Sequence, residues 1–222
     1  MRLRTTKVLL FGLVFLVTGG FATCAVATTL GPITVANPSF EDTTGVIFNG
    51  SPCGPGCAYS FGQPIPGWTS SSGGGTKGQF QPGTQFSFVP NGIFTAYSNG
   101  GTISQTVANV TVQDGITYIL KVALGHRFDL PFFASADLLV GSNMFKAIGV
   151  APAAGDWSTY TATFTGSAAD AGDTITIQLN STGVQGNFDD VSLTAVPEPS
   201  YLGVVGIGLA GLLAFALRNR IA

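Results

Sequence analysis

The stretch TYTATFTG, residues 159–166, puts Tyr160, Ala162 and Phe164 on one side of an extended chain and Thr159, Thr161, Thr163 and Thr165 on the other. That period of two is the signature of a half-buried β-strand, and Thr, Tyr and Phe suit a pleated surface. TITIQL (174–179) repeats the pattern with Ile175, Ile177 and Leu179. TYILKVAL (117–124) sets Tyr118, Leu120, Val122 and Leu124 against Ile119, Lys121 and Ala123. Further strands are expected at 33–41, 85–89, 93–98, 102–111, 135–140 and 186–194. Turn signals divide them: PNG at 90–92, SNGG at 98–101, QDG at 113–115, AAGD at 153–156 and DAGD at 170–173. No helical period is sustained between the first residues and residue 200. About nine short strands predict an all-β, antiparallel jelly-roll sandwich. The Gly/Ser-rich stretch 69–78 is expected to be a loop.

The two ends read differently. Arg2, Arg4 and Lys7 precede an apolar run from Val8 to Val17, and Ala25-Val26-Ala27 is a small-x-small cleavage site. Residues 1–27 are therefore expected to be a signal peptide, cut before Thr28. At the other end, Pro197-Glu198-Pro199 is followed by 17 uncharged residues, Tyr201–Leu217, and then by Arg218 and Arg220. As a helix this run spans about 26 Å, close to the ~30 Å hydrocarbon layer, so a single transmembrane helix is expected there, with its arginines on the cytoplasmic side. The chain thus divides into 1–27, a β-sandwich ectodomain at 28–195, and a terminal segment at 196–222.

Between the ends, residues 28–196 hold 4 basic and 10 acidic residues, a net charge of 4 − 10 = −6. So few cations argue against nucleic-acid binding, which needs Lys and Arg to displace phosphate counterions. Cys53 and Cys57 flank Gly-Pro-Gly, and in an exported chain that spacing predicts a local disulfide.

The ordered elements at the C-terminus (VPEPS, an apolar run, an arginine cluster) resemble the PEP-CTERM sorting signal. The resemblance makes Pro197, Glu198 and Pro199 the recognition motif and implies processing by exosortase, after signal peptidase and a transient stay in the inner membrane. VANPSFE (35–41), PIPGWT (64–69), TAYSNGGTISQTV (95–107), YILKVALGHRFDLP (118–131), ADLLVG (136–141) and GNFDDVSLTA (186–195) are similar to blocks of an ectodomain related to galactose-binding-like jelly rolls and carbohydrate-binding modules.

Candidate chemistry is sparse. Glu41 and Asp42 end the first expected strand, and Asp189 and Asp190 lie in the last. In a jelly roll those strands lie near each other, so the acids are expected to converge. Their oxygen-only chemistry suits calcium, and the resemblance implies a structural Ca²⁺ on Glu41, Asp189 and Asp190. Asp189 is expected to share a face with Val191 and Leu193. The alternative is that these acids accept backbone N–H groups in loops. For sugar binding, the expected residues are Arg127, Asp129, Phe132 and Phe133, with Tyr97, Asn99 and Gln105 as weaker candidates. His126 is the single histidine, and no nucleophile elbow accompanies it. The expected function is an exported, non-enzymatic surface or matrix protein that binds exopolysaccharide. A β-sandwich carbohydrate-active hydrolase and a ligand-free coat protein are the alternatives.

Overall fold

The computed structural model describes residues 31–50, 53–71 and 75–197. The expected signal peptide, the transmembrane helix and most of the sorting segment, including Glu198, Pro199, Arg218 and Arg220, lie outside the described residues. Among the described residues no helix is long and apolar enough to cross a membrane.

In chain order the strands are β1 (Gly31–Ile33), β2 (Phe48–Gly50), β3 (Ala58–Ser60), β4 (Thr69–Ser70), β5 (Lys77–Gln81), β6 (Thr95–Ser98), β7 (Gly101–Thr111), β8 (Ile116–Gly125), β9 (Ala134–Val140), β10 (Asn143–Lys146), β11 (Trp157–Thr165), β12 (Thr174–Ser181) and β13 (Gly186–Pro197). They form two antiparallel sheets. The larger runs β11-β8-β13-β6-β5-β3-β2, with β1 also paired to β13; the smaller runs β10-β9-β12-β7-β4. This is the expected all-β sandwich.

The alternating stretches lie where the pattern predicts. In β11, Ala162 and Phe164 are buried; in β12, Ile175, Ile177 and Leu179 are buried. They meet Leu120, Val122 and Leu124 of β8 and Leu138 and Val140 of β9 in one core between the sheets. Burying each such side chain stabilises by roughly 1.5–3 kcal/mol.

Four expectations change. The strand expected at 33–41 stops at Ile33; Asn37 and Phe40 have φ of 45° and 59°, so the chain turns there. That turn carries the Phe40 ring into the core, 5.3 Å from Trp68. Residues 85–89 are not a strand but a segment lying over the larger sheet. The loop expected at 69–78 ends early, because Lys77 and Gly78 enter β5 beside β6. Finally, β13 runs to Pro197, which pairs with Ile116, rather than ending near Thr194. Pro197, the first residue of the expected sorting motif, therefore lies inside the sheet.

Burial along β5, β6, β8 and β13 locates a second layer. Ala123 and Gly125 of β8 are buried although they face away from the inter-sheet core, and residues 186–189 are buried without alternation. A strand loses its alternation when both of its faces are covered. The cover is a small outer cluster of Cys57, Phe80, Phe86 and Tyr97, with Cys53, Tyr59 and Trp157 packed against it. Cys53 and Cys57 form the expected disulfide, with Cα atoms 5.6 Å apart. The 53–57 turn is tied to the covering segment where Gln85 Nε2 donates to the Cys53 carbonyl at 2.7 Å. Phe86 packs on Trp157 with ring centroids 4.6 Å apart.

Candidate functional site

The outer face of the larger sheet gathers the chemistry, and a bulge in β13 decides which acid lies there. Phe188, Val191, Leu193 and Ala195 all point into the core. An unbroken strand alternates at every second residue, so one residue is extra between 188 and 191. The ladder to β8 shifts register between Asp189 and Ser192, Asp190 has a φ of 46°, and the freed Val191 N–H donates to the Pro38 carbonyl. A one-residue bulge reverses the facing of everything beyond it. Asp189 therefore does not share a face with Val191 and Leu193; it points to the outer face, beside Asn187.

Asp189 has no solvent exposure. Its carboxylate accepts the Asn91 N–H at 2.9 Å and the Asp190 N–H at 2.7 Å. Burial pushes its pKa up to about 7, the two N–H bonds oppose that rise, and the nearby charges of Asp190 and Glu41 add to it. Glu41 accepts the N–H groups of Ile93 and Phe94 at 2.9 and 2.6 Å. Both acids thus converge on the 91–94 loop by binding its backbone. Asp190 is exposed. Of the three residues expected to hold calcium, Asp189 accepts N–H groups on both oxygens and Glu41 on one. Among the described residues no group of three or more acidic, His or Cys side chains is placed to hold a metal ion.

On the same outer face a pocket of about 250 Å³ opens, lined by Cys53, Tyr59, Phe61, Phe80, Tyr97, Asn99, Arg127 and Gln185; Asp189 is not part of its lining. Strand pairing builds it. Tyr59 pairs with Phe80, Gly78 with Tyr97, and Tyr97 with Asn187. Gly78 is needed there, since a Cβ at that position would reach 3.1 Å from the Tyr97 ring and overlap Ser60. Tyr97 donates to the Ser60 carbonyl at 2.6 Å. Burial first, and then Tyr59, pushes its pKa up to about 12, so it stays protonated.

Arg127 forms the polar wall. It grips Asp129 through Nε and Nη2 at 2.8 and 2.7 Å, donates from Nη1 to Gln185 Oε1 at 2.7 Å, and holds its Cζ 5.5 Å from the centre of the Phe80 ring. The Arg127 hydrogen bond holds the Asp129 carboxyl below its usual range. Gln185 Nε2 then donates to Asn187 Oδ1 at 3.0 Å. Asn187 is fully buried, and its Nδ2 has no hydrogen-bond partner.

The residues expected to bind sugar are divided by the structure. Arg127 and Asp129 meet each other. Phe132 is half-buried against the core and packs near His126 and Tyr160. Phe133 is exposed, as is Phe128. Tyr97 and Asn99 do line the pocket. Gln105 lies in a separate, larger groove of about 810 Å³ near β1 and β7, where its amide is used by Ala36 and Gly67. That groove has no Asp, Glu, Lys, Arg or His in its lining, and the Tyr118 hydroxyl there is engaged by Gln113 and Thr111. Sequence reasoning missed Tyr59, Phe61, Phe80, Gln185 and Asn187. Tyr59 and Phe80 lie on strands too short or too glycine-rich to show a period.

Comparison with known proteins places this architecture. Residues 31–194 match the family described as HpiC1-like, HpiC1 cyclase. No match was found among curated proteins. Among solved structures, an apo form cyclase from Fischerella sp. is 19% identical over 76% of this chain and 98% of its own, with a TM-score of 0.59. The CBM22-1 xylan-binding domain of Paenibacillus barcinonensis Xyn10C is 13% identical over 78% and 100%, with a TM-score of 0.44.

Proposed function

The chain belongs to the HpiC1-like family of cyclases, and from that premise we propose that it closes a ring within a small unsaturated substrate bound on the outer face of the larger sheet. The expected non-enzymatic role is thereby overturned. The observation that carries the site is Asp189, a fully buried acid with a pKa of about 7 on the same sheet face as an aromatic-lined pocket. An acid that keeps its proton near neutral pH is a proton donor in waiting.

The step balances as an isomerisation. Asp189 gives its proton to one carbon of a C=C bond, forming a C–H bond and leaving a cation on the other carbon. A second C=C bond of the same molecule attacks that cation and closes the ring. A neighbouring C–H then returns a proton to the carboxylate. The Phe80, Tyr59, Phe61 and Tyr97 rings offer π faces to the developing cation. Asp189 lies two residues along β13 from Asn187, about 6.6 Å by strand rise, beneath the 91–94 loop. Turnover therefore requires the Asn91 contact to open, a motion of the kind that gates many active sites.

The test is a screen of neutral polyenes and alkenyl aromatics for products of unchanged mass and one fewer C=C bond. Asp189→Asn should lower the rate by about 10²–10⁴, the range of general-acid catalysis. Wild-type rates in that variant refute the assignment.

We further propose that this enzyme works outside the cytoplasm and is sorted by exosortase through Pro197, Glu198 and Pro199, with residues 201–217 as a temporary membrane tether. The disulfide supports an oxidising compartment, and the order of motif, apolar run and arginines supports the sorting signal. Mass measurement of the mature protein from exosortase-containing cells tests this; retention of residues 201–222 refutes it.

A further inference from the structure

We infer that the pocket selects a neutral substrate with a hydrogen-bond-acceptor head, such as a carbonyl, attached to its apolar body. The inference rests on placing the reaction at this pocket. Arg127 has five N–H groups and spends three, two on Asp129 and one on Gln185. Two remain, one on each terminal nitrogen, in a wall of the pocket. Behind them the chain of bonds runs from Arg127 to Gln185 to Asn187 and ends in the buried, unpartnered Nδ2 of Asn187. The uncommitted groups of this network are all donors. An acceptor on the ligand pairs with the two Arg127 N–H groups, which belong to the lining where Asn187 does not.

Charge selects further. Asp129 already neutralises Arg127 through a two-point contact, and the Arg127 side chain is only 12% exposed. A carboxylate or phosphate head would lose its water in return for a cation that is already paired. A neutral acceptor pays far less. An ammonium head cannot accept from the Arg127 N–H groups and is repelled by that guanidinium, which leaves it only the ring faces. Tyr59, Phe61 and Phe80 take the apolar body, and a pocket of about 250 Å³ admits one small ring or its equivalent.

Four aryl probes of similar size separate these heads without any turnover: acetophenone, benzoate, benzylamine and ethylbenzene, titrated into the full chain by ligand-observed NMR. Acetophenone is expected to bind tightest, by about fivefold over ethylbenzene for one added hydrogen bond. Arg127→Met should abolish that preference, and Arg127→Lys, which keeps the charge but loses the planar fork, should abolish it too. Phe61→Ala should weaken acetophenone and ethylbenzene alike. Asp189→Asn should leave the ranking intact even where it stops turnover, so failure of the proton step and failure of this inference are distinct. Tightest binding by benzoate, an unchanged ranking in both Arg127 variants, or no binding by any probe overturns it.

Discussion

Asp189→Asn also makes a stability prediction that needs no substrate. The folded-state pKa is about 7 and the ordinary value is 3.8. Below pH 3.8 both folded and unfolded chains hold this proton. Between 3.8 and 7 the folded chain holds it and the unfolded chain does not, so stability falls as pH rises. Above 7 the contribution is lost. A shift of about 3 units at roughly 1.36 kcal/mol each makes this about 4 kcal/mol, and full burial means little of it is screened. Against a domain stability of about 5–15 kcal/mol that is a large share. Asp137 shifts in the same direction, chiefly through burial, against the opposing effects of Lys146 and Asn180, so the wild type alone does not isolate Asp189. The neutral asparagine does. Its single side-chain oxygen satisfies only one of the Asn91 and Asp190 N–H groups, which adds a constant penalty without pH dependence. Urea unfolding of both proteins at pH 4, 5.5, 7 and 8.5, with the disulfide intact, gives the comparison. The wild type should lose about 4 kcal/mol relative to Asp189→Asn across the series. Parallel curves would show that the buried carboxyl is not held protonated.

Three further substitutions probe the same architecture. Gly125→Ala would place a Cβ 2.7 Å from the Trp157 ring and 2.9 Å from the Phe86 ring, so it should cost about 1–3 kcal/mol as overpacking and shift the tryptophan fluorescence. Gly92→Ala combines a φ of +75° with overlap of the Glu41 carboxyl group; thermal denaturation should show a loss of about 2 kcal/mol, since the left-handed conformation alone costs roughly 1–2 kcal/mol. Replacing Cys53 and Cys57 by serine opens a five-residue ring, and denaturant titration should show a loss of about 2 kcal/mol by the chain-entropy relation.

The inter-sheet core was legible because each of its strands has one wet face. β11 and β12 alternate in sequence as they do in space. The turn motifs were legible for a related reason: Gly92, Gly115, Gly155 and Gly172 all adopt positive φ, which glycine alone reaches without strain. The outer site was hidden by its own construction. Covering a sheet on both sides erases the period of two, so KGQFQ at 77–81 and the start of β13 show no pattern. The bulge at Asp190 hides more: parity along the strand put Asp189 with Val191 and Leu193, and one extra residue reversed it. Convergence of Glu41 with Asp189 was readable from strand order, but its purpose was not. The paired acids bind a loop by its N–H groups. Arg127 and Asp129 were recognised as polar neighbours. Their partner Gln185, 58 residues from Arg127, had no local signal.

The central claim is that Asp189 starts ring closure by protonating carbon. Running the reaction in D₂O tests it most directly, because the carboxyl proton exchanges with solvent before it is transferred. Wild-type product should carry one deuterium that does not wash out in water, bound to carbon, and Asp189→Asn should form labelled product about 10²–10⁴ times more slowly. An isomer formed by the wild type without deuterium, or labelled product formed at the wild-type rate by Asp189→Asn, would contradict the account.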